Sequence, residues 1–231
     1  MTSLMVFAGL CWWHSHKLTD VSSGENLMLD TLGFPVVVYM DSLGKPTRVR
    51  WNGTAWVYDT LPMVSYTWAR IDSSGHLHLA KTAIDDTFFF ASETDTGWVY
   101  HTYNEECNEA YPMAFDVTGD GTLHMMWVES GLWHMWLDGD TWAFDQVPLN
   151  AFTYADMRSD KWGNLHLAGL SLYPNFLWYG FRDSSGWKGD TVDYVEDDNA
   201  DFNFSLCNIT VDWRGRPYIW YNPFYYGRGA I

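Results

Sequence analysis

Cysteine and basic residues are both scarce in this chain, and each scarcity argues against certain classes of protein. The 231 residues include three cysteines, Cys11, Cys107 and Cys207, with no Cys-x-x-Cys pair, so we expect neither a zinc site nor a dense disulfide framework. One disulfide and buried free thiols both remain open. Only 13 lysines and arginines oppose 29 aspartates and glutamates, giving a formal charge of −16. Such a surface repels phosphate backbones and anionic lipids, so we expect no nucleic-acid and no membrane partner.

Long hydrophobic runs and helical periods are missing as well. The apolar stretch near the N-terminus, "MTSLMVFAGLCWW", is about ten residues long and has no Lys or Arg before it, so we interpret it as strands and not as a signal peptide or membrane span. No stretch of about 12 residues keeps a helical period. Short Val, Ile, Tyr, Phe and Trp runs, bounded by Gly, Asp, Asn and Ser, are typical of strands and turns. The sequence therefore predicts an all-β protein.

An Asp-x-x-Gly turn followed by an apolar run recurs along the chain, with Thr in place of Asp in the third copy. Its glycines are Gly33, Gly75, Gly121, Gly163 and Gly215, which lie 42, 46, 42 and 52 residues apart. A Trp after a polar turn follows four of the copies about 22 residues later, at Trp56, Trp98, Trp142 and Trp187. A period in the forties with four short strands per repeat is typical of a β-propeller.

Five glycines and four Trp marks leave one outer strand unaccounted for. The segment "GLCWWHSHKL" near the N-terminus has the right spacing from the next turn, with Trp12 or Trp13 at the expected position. We therefore predict one domain over residues 1–231, a single five-bladed β-propeller of four-stranded antiparallel blades, in which an N-terminal strand closes the last blade. A further strand there comes from either "SLMVFAG" or "PFYYGRGAI".

The turns "SETDTGW" and "RDSSGW" resemble the Asp-box (BNR) repeats of sialidase-like propellers, and the chain is similar in size to the tachylectin-type five-bladed lectins. No copy carries the full Ser-x-Asp-x-Gly-x-x-Trp pattern, so no family catalytic residue is carried over. The resemblance spans the chain at the level of architecture and implies a function connected with carbohydrate.

Alternate residues of the predicted inner strands are polar in several repeats and should share one face near the central channel. There Asp156 with a loop carboxylate, Glu109 or Glu25, is predicted to act as acid and base, and Asp116 is a third candidate. Asp116 becomes an ordinary turn residue if the third turn is "DVTG". The predicted substrate-binding residues are Asn26, Tyr66, Trp68, Arg70, Tyr111, Tyr154, Arg158 and Asn208. The alternative is that the charged members form a network that only holds blades together.

Two motifs raise the question of a metal. "DVTGDG", from Asp116 to Gly121, matches only part of the start of a calcium loop. We therefore leave a bound calcium ion open and otherwise expect no cofactor. His78, His124 and His166 recur at one repeat position, which we take to be filled by Pro35 and Pro217 in the other repeats. A residue that exchanges with proline is expected to serve packing, so no metal ligand is assigned.

Three functions fit this pattern. The repeats share turn and packing residues and little else, which favours one asymmetric pocket, and our first hypothesis is a glycoside hydrolase or polysaccharide lyase. The acidic loops "NEECNEAY" and "DYVEDDNADFN" are predicted to border that pocket. A non-catalytic carbohydrate-binding lectin is the alternative, and a protein-interaction scaffold is the third reading. The expected partner is a carbohydrate or other small molecule bound by a soluble monomer.

Overall fold

Every regular element of the described chain is a β-strand. The computed structural model describes residues 4–7, 13–16, 21–63, 65, 68–82, 87–104, 111–129, 131–149, 154–172, 175–194 and 207–221. They form two compact units, residues 1–104 and 105–231. In this part of the chain no helix has the length and apolar character needed to cross a membrane.

The first unit contains a hairpin and two four-stranded antiparallel sheets. The hairpin joins β1 (Leu4–Phe7) and β2 (Trp13–His16). Sheet I consists of β3 (Val21–Leu29), β4 (Pro35–Asp41), β5 (Pro46–Trp51) and β6 (Trp56–Thr60) in that order. Sheet II consists of β7 (Trp68–Ile71), β8 (Leu77–Thr82), β9 (Thr87–Thr94) and β10 (Gly97–Asn104).

The second unit repeats this plan. Sheet III consists of β11 (Tyr111–Val117), β12 (Leu123–Val128), β13 (Leu132–Asp138) and β14 (Thr141–Gln146). Sheet IV consists of β15 (Tyr154–Ser159), β16 (Leu165–Leu172), β17 (Asn175–Asp183) and β18 (Gly186–Tyr194). Sheet V has two described strands, β19 (Cys207–Val211) and β20 (Pro217–Tyr221). The all-β prediction and the four-stranded antiparallel repeat are confirmed, while the count of five blades and the single domain stay predictions.

The repeated Asp-x-x-Gly segments form the first hairpin of each sheet. In sheet I, Asp30 Oδ1 accepts hydrogen bonds from the amides of Leu32 and Phe34, at 2.9 and 2.8 Å, and Asp72, Asp160 and Asp212 make the same pair of bonds. The glycine takes a positive φ, 79° at Gly33, which costs a residue without Cβ little. Each repeat can therefore close its own turn with its own side chain.

Sheet III builds this turn from different residues. The amide of Gly121 donates to the carbonyl of Thr118, so the turn is Thr118–Gly121, and Asp120 Oδ1 accepts from the amide of Thr122 at 3.1 Å. Asp116 lies before the turn, within β11 and opposite His124. The alternative in which Asp116 is a turn residue is therefore wrong.

The recurring Trp stands near the start of the fourth strand of each complete sheet. Trp56, Trp98, Trp142 and Trp187 lie opposite Trp51, Glu93, Leu137 and Arg182 across the last hairpin. This register fixes which residues of the third and fourth strands face one another.

Apolar cores lie between successive sheets within each unit. Val38 of sheet I is buried with Ala69, Leu77 and Leu79 of sheet II. In the second unit, Met126 and Leu132 of sheet III are buried with Met157, Leu167 and Trp178 of sheet IV. The apolar alternation predicted for the inner strands holds at Ala69, Phe115, Met157 and Ile209, which are all buried, whereas Leu27 and Leu29 of β3 are exposed.

The histidines occupy a different register from the one predicted. His78, His124 and His166 lie opposite Arg70, Asp116 and Arg158 across the first hairpin. Pro35 and Pro217 lie one position earlier, opposite Leu29 and Val211, so the residues equivalent to the histidines are Val36 and Tyr218. The equation with proline is therefore wrong, although the three histidines are buried packing residues as predicted.

Candidate functional site

Several residues of the predicted channel site lie outside the described part of the structure. Glu109 and Tyr66 are not described, and the same holds for the side chains of Glu25 and Tyr111. Trp68 and Arg70 are half-buried on β7 in the first unit, where Asn26 of β3 is also half-buried. Tyr154 and Asn208 are exposed on β15 and β19 in the second unit. Their roles in binding a substrate stay predictions.

The two described candidate acids each reach the backbone of the next sheet. Asp116 Oδ2 accepts a hydrogen bond of 2.5 Å from the amide of Ser159 in sheet IV, and Asp156 Oδ2 accepts one of 3.1 Å from the amide of Ile209 in sheet V. The other oxygen of Asp156 accepts from Arg158 Nη1 at 2.6 Å and from the amide of Met157 at 3.0 Å. Both carboxylates are buried. These contacts favour the network that holds sheets together, and the catalytic roles remain untested predictions.

A second cluster, which the sequence reasoning missed, lies between sheets III and IV. We call it the inter-sheet cluster and define it as His134, Trp136, Asp145, Arg182 and Trp187. Asp145 Oδ1 accepts from His134 Nδ1 at 2.8 Å and from Trp187 Nε1 at 3.0 Å, and Asp145 Oδ2 accepts from Arg182 Nε at 2.8 Å. Asp145 therefore joins the third and fourth strands of both sheets.

The register of the two sheets explains why these residues meet. His134 lies opposite Asp145 across the last hairpin of sheet III, and Arg182 lies opposite Trp187 across that of sheet IV. Side chains directly opposite on one face of an antiparallel pair are neighbours, so packing the two sheets together brings both pairs into contact.

Burial and hydrogen bonding set the charge state of the cluster. Burial raises the pKa of Asp145, but the hydrogen bonds from His134 and Arg182 outweigh it and hold that pKa below the usual 3.8. Burial lowers the pKa of His134 below 6.5, against the opposing effect of Asp145. Neutral His134 donates through Nδ1 to Asp145, so its Nε2 must accept from Nδ1 of the buried His124, 3.0 Å away. The result is an ionised carboxylate held by a chain of two neutral histidines.

Part of the cluster is open to solvent. The side chains of Arg182 and Asp145 keep 22% and 26% of their surface exposed, and the guanidinium of Arg182 lies over the Trp136 ring at 4.4 Å from its centroid. Within the described residues, Arg182 donates only through Nε, so the N–H groups on its two Nη atoms can donate to a ligand. The indoles of Trp136 and Trp187 are half-buried beside them. Paired donors beside half-exposed indoles suit a polyhydroxylated ligand with an apolar face.

In sheets I and II, the positions equivalent to those of the inter-sheet cluster are occupied by other residues. Arg48 lies opposite Asp59 as His134 lies opposite Asp145, and Glu93 lies opposite Trp98 as Arg182 lies opposite Trp187. Arg48 donates to Asp59 Oδ2 through Nε and Nη2, at 3.2 and 3.1 Å, and to Glu93 Oε2 through Nη1, at 2.6 Å. Arg48 is only 12% exposed, so this copy is a closed ion-pair network.

A sequence signal for this cluster does exist. At or near their starts, the fourth strands carry "WVYD", "WAFD" and "WKGD" in sheets I, III and IV, and "WVYH" in sheet II. In sheets I, III and IV the residue three after the Trp is a carboxylate, namely Asp59, Asp145 or Asp190. Because side chains alternate along a strand, a Trp and the residue three positions later on the same strand lie on opposite faces. Asp145 instead contacts the Trp of the next sheet, Trp187, and only the pairing of hairpins and sheets reveals that contact.

Metal binding has no matching geometry in the part of the chain that the structure describes. There, no three His, Cys, Asp or Glu side chains converge in a way that could hold a metal ion. Asp120 of the partial calcium motif accepts from Thr118 Oγ1 at 2.6 Å and closes its own turn. The thiol of Cys207 is free and buried, and burial with the nearby charge of Asp156 raises its pKa to about 12. Cys11 and Cys107 lie outside the described residues.

The chain resembles solved proteins in its fold. No protein-family model matches the sequence, and no curated protein matches it. AofleA from Arthrobotrys oligospora aligns with a TM-score of 0.59 at 12% identity, over 91% of this chain and 70% of that one. A streptogramin B lyase gives 0.58 at 14% identity, over 92% and 66%. A variant of Aleuria aurantia lectin in complex with α-methyl-L-fucoside gives 0.57 at 16% identity, over 85% and 72%.

Another structure of Aleuria aurantia lectin is described as a six-bladed β-propeller. At such low identities the likeness shows the fold alone, so the chain has the fold of a β-propeller. The antiparallel four-stranded sheets are consistent with that fold. The resemblance to Asp-box repeats and to tachylectin-type lectins stays a prediction.

Proposed function

We propose that this protein is a carbohydrate-binding lectin that holds a neutral sugar at the inter-sheet cluster. The observation that carries the proposal is the partly exposed Arg182, whose Nε lies 2.8 Å from Asp145 and whose guanidinium lies over the Trp136 ring, with two Nη groups available for a ligand. The complexes of structural neighbours with α-methyl fucosides support this choice of ligand class. The lectin reading replaces the enzyme as our preferred function.

The polar groups of the cluster can hold adjacent sugar hydroxyls. Two Nη atoms of a planar guanidinium donate in parallel, which matches a pair of vicinal hydroxyl oxygens. A carboxylate offers about four lone-pair directions. Asp145 uses three of them for His134, Trp187 and Arg182, which leaves one on Oδ2 for a hydroxyl proton. The half-buried indoles of Trp136 and Trp187 offer apolar surface to the C–H groups of the ring.

The contacts of the candidate acids support binding over catalysis. A general acid must reach the glycosidic oxygen, whereas the carboxylates of Asp116 and Asp156 are buried and bond to backbone amides of the next sheet. We therefore propose that these two side chains stabilise the fold, and that the sugar leaves the protein chemically unchanged.

Replacing Arg182 by alanine tests this function. We expect binding of α-methyl fucoside, or of the best ligand from a panel of neutral glycans, to weaken about tenfold to a hundredfold, because charge-assisted hydrogen bonds are lost. Isothermal titration calorimetry measures the change. Lys188→Ala is the matched control, since this exposed cation of the same sheet pairs with Asp183 outside the cluster.

Two results would contradict the proposal. One is unchanged affinity in a folded Arg182→Ala protein. The other is a glycan that gains the mass of water, or an unsaturated end, on incubation with the parent protein and not with Asp156→Asn, which would establish the enzyme instead.

We also propose that residues 1–231 form one five-bladed propeller, in which the N-terminal hairpin supplies the third and fourth strands of sheet V. Sheet V has two described strands and the hairpin has two. In the hairpin His16 lies opposite Leu4, as Asp59 lies opposite Arg48, and "WHSH" repeats the "WVYH" of sheet II. Deleting residues 1–20 should therefore reduce hydrogen-exchange protection of β20, because the proposed third strand that pairs with its outer edge is lost, whereas its pairing with β19 remains. Unaltered protection over 217–221 would contradict this closure.

A further inference from the structure

The turns of sheets IV and V carry an exposed group of cations and indoles. We define the cation–aromatic patch as Lys161, Trp162, Trp213 and Arg214, which are the central residues of the Asp160–Gly163 and Asp212–Gly215 turns. Trp162 is 60% exposed and Trp213 is 69% exposed. The corresponding turns of sheets I, II and III carry Thr31–Leu32, Ser73–Ser74 and Gly119–Asp120, with no cation and no aromatic ring. The patch is therefore special to two neighbouring sheets of one unit.

The patch is built from contacts between the two turns. Lys161 Nζ lies 4.5 Å from the centroid of the Trp162 ring and 5.6 Å from that of Trp213, so one cation serves both indoles. The guanidinium carbon of Arg214 lies 4.5 Å from the Trp213 centroid. The Trp162 ring also packs on Gly215, where a Cβ atom would stand 2.6 Å from a ring carbon. Glycine at this position lets the two turns interlock and holds the ring in a set orientation.

The two cations of the patch belong to a strongly acidic protein. Among the described residues, neither Lys161 nor Arg214 forms an ion pair, whereas the neighbouring Arg216 pairs with Asp212 at 2.6 Å. The carboxylates closest in sequence are already used. Asp160 accepts from the amides of Trp162 and Asn164, and Asp212 accepts from those of Arg214 and Arg216. The chain has 29 acidic residues, yet within the described ranges no carboxylate pairs with either cation, which favours an external anion at this place.

We propose that the cation–aromatic patch binds an acidic carbohydrate, a sugar that bears a carboxylate or sulfate group. The C–H face of such a sugar can stack on an oriented indole, while Lys161 and Arg214 bind its anionic group. Both requirements are met only where aromatic rings and unpaired cations occur together. This site is separate from the inter-sheet cluster and goes beyond the function proposed above, because it selects charge and not a pattern of neutral hydroxyls.

Binding of oligogalacturonate, compared with its methyl ester, tests the proposal. We expect the acid form to bind at least about tenfold more tightly at low salt, and the double variant Lys161→Ala, Arg214→Ala to lose that advantage. Trp213→Ala, which removes an exposed ring, should weaken both forms. Lys45→Ala is the matched control, since Lys45 is an exposed lysine beside the Asp41–Gly44 turn of sheet I and is not part of the patch.

The outcomes separate this site from the first one. Arg182→Ala should leave oligogalacturonate binding unchanged, so failure at the inter-sheet cluster does not decide the result here. Equal binding of acid and ester would overturn the proposal, and so would full binding by the folded double variant. Tight binding of phosphatidylserine vesicles without binding of oligogalacturonate would also overturn it and assign the patch to a lipid surface.

Discussion

Gly189→Ala is expected to destabilise the second unit by about 3 kcal/mol or more, because the new methyl group would occupy the position of the Trp178 ring. Gly180 and Gly189 lie opposite each other on β17 and β18, and a Cβ atom built on either one overlaps that ring. Trp178 is buried with Met126 and Leu132 of sheet III, so the ring has no free space to move into. The Trp178 indole therefore packs directly against the backbone of these two glycines.

The measurement is the free energy of unfolding in urea, followed by Trp fluorescence. A double-mutant cycle isolates the clash: in the background of Trp178→Leu, the alanine at 189 should cost less than about 1 kcal/mol, since the ring atoms it meets are gone. Lys188→Ala, on the neighbouring and exposed position of the same strand, is the control and should change stability by less than about 0.5 kcal/mol. Equal costs of Gly189→Ala in both backgrounds would contradict the proposed packing.

Lowering the pH from 7 to 5.5 is expected to remove about 2 kcal/mol of stability through His124 and His134. Burial, followed by repulsion from His134 whenever that ring is protonated and from Arg182, lowers the pKa of His124 well below 6.5, and burial also lowers that of His134. Both rings bind a proton less readily in the folded protein than in the unfolded chain. The unfolded state then binds more protons, so stability falls as the pH falls.

Carboxylates do not obscure this window. The pKa of Asp145 is held below 3.8 in the folded protein, so its contribution is complete above that value and is lost only at lower pH. Urea unfolding at pH 7, 6 and 5.5 gives the slope, and His124→Gln should remove at least about 1 kcal/mol of the loss. His76→Gln is the control of opposite sign, because hydrogen bonding to Asp95 raises the pKa of His76. His78 and His166, whose pKa values burial also lowers, contribute to the slope of the parent protein, so an unchanged slope in His124→Gln is the result that would contradict the assignment.

Features determined within one repeat could be predicted from the sequence. The Asp-x-x-Gly turn is closed by its own aspartate and glycine, so its position, and the strands on either side, follow from five or six consecutive residues. The Trp mark locates the last strand for the same reason, since the turn before it is local.

Features that depend on pairing between distant segments could not be predicted. Asp116 meets an amide 43 residues away, and Asp145 meets Arg182 at a separation of 37, and no local pattern records either contact. The prolines illustrate the limit at short range. Pro35 and His78 stand at nearly the same number of residues after the glycine of their turns, with a difference of one. A shift of one residue moves a side chain to the opposite face of the strand, so the two positions are not equivalent.

The carboxylates that cross between sheets give the array of repeats a direction. Asp116 of sheet III accepts from an amide of sheet IV, and Asp156 of sheet IV accepts from an amide of sheet V, so sheets III and IV each provide a carboxylate to the following sheet. In both contacts the earlier sheet supplies the acceptor and the later sheet supplies the N–H donor. Replacing either aspartate therefore leaves a backbone N–H group of the following sheet without its acceptor, so the loss of stability extends to the following sheet and not to the preceding one.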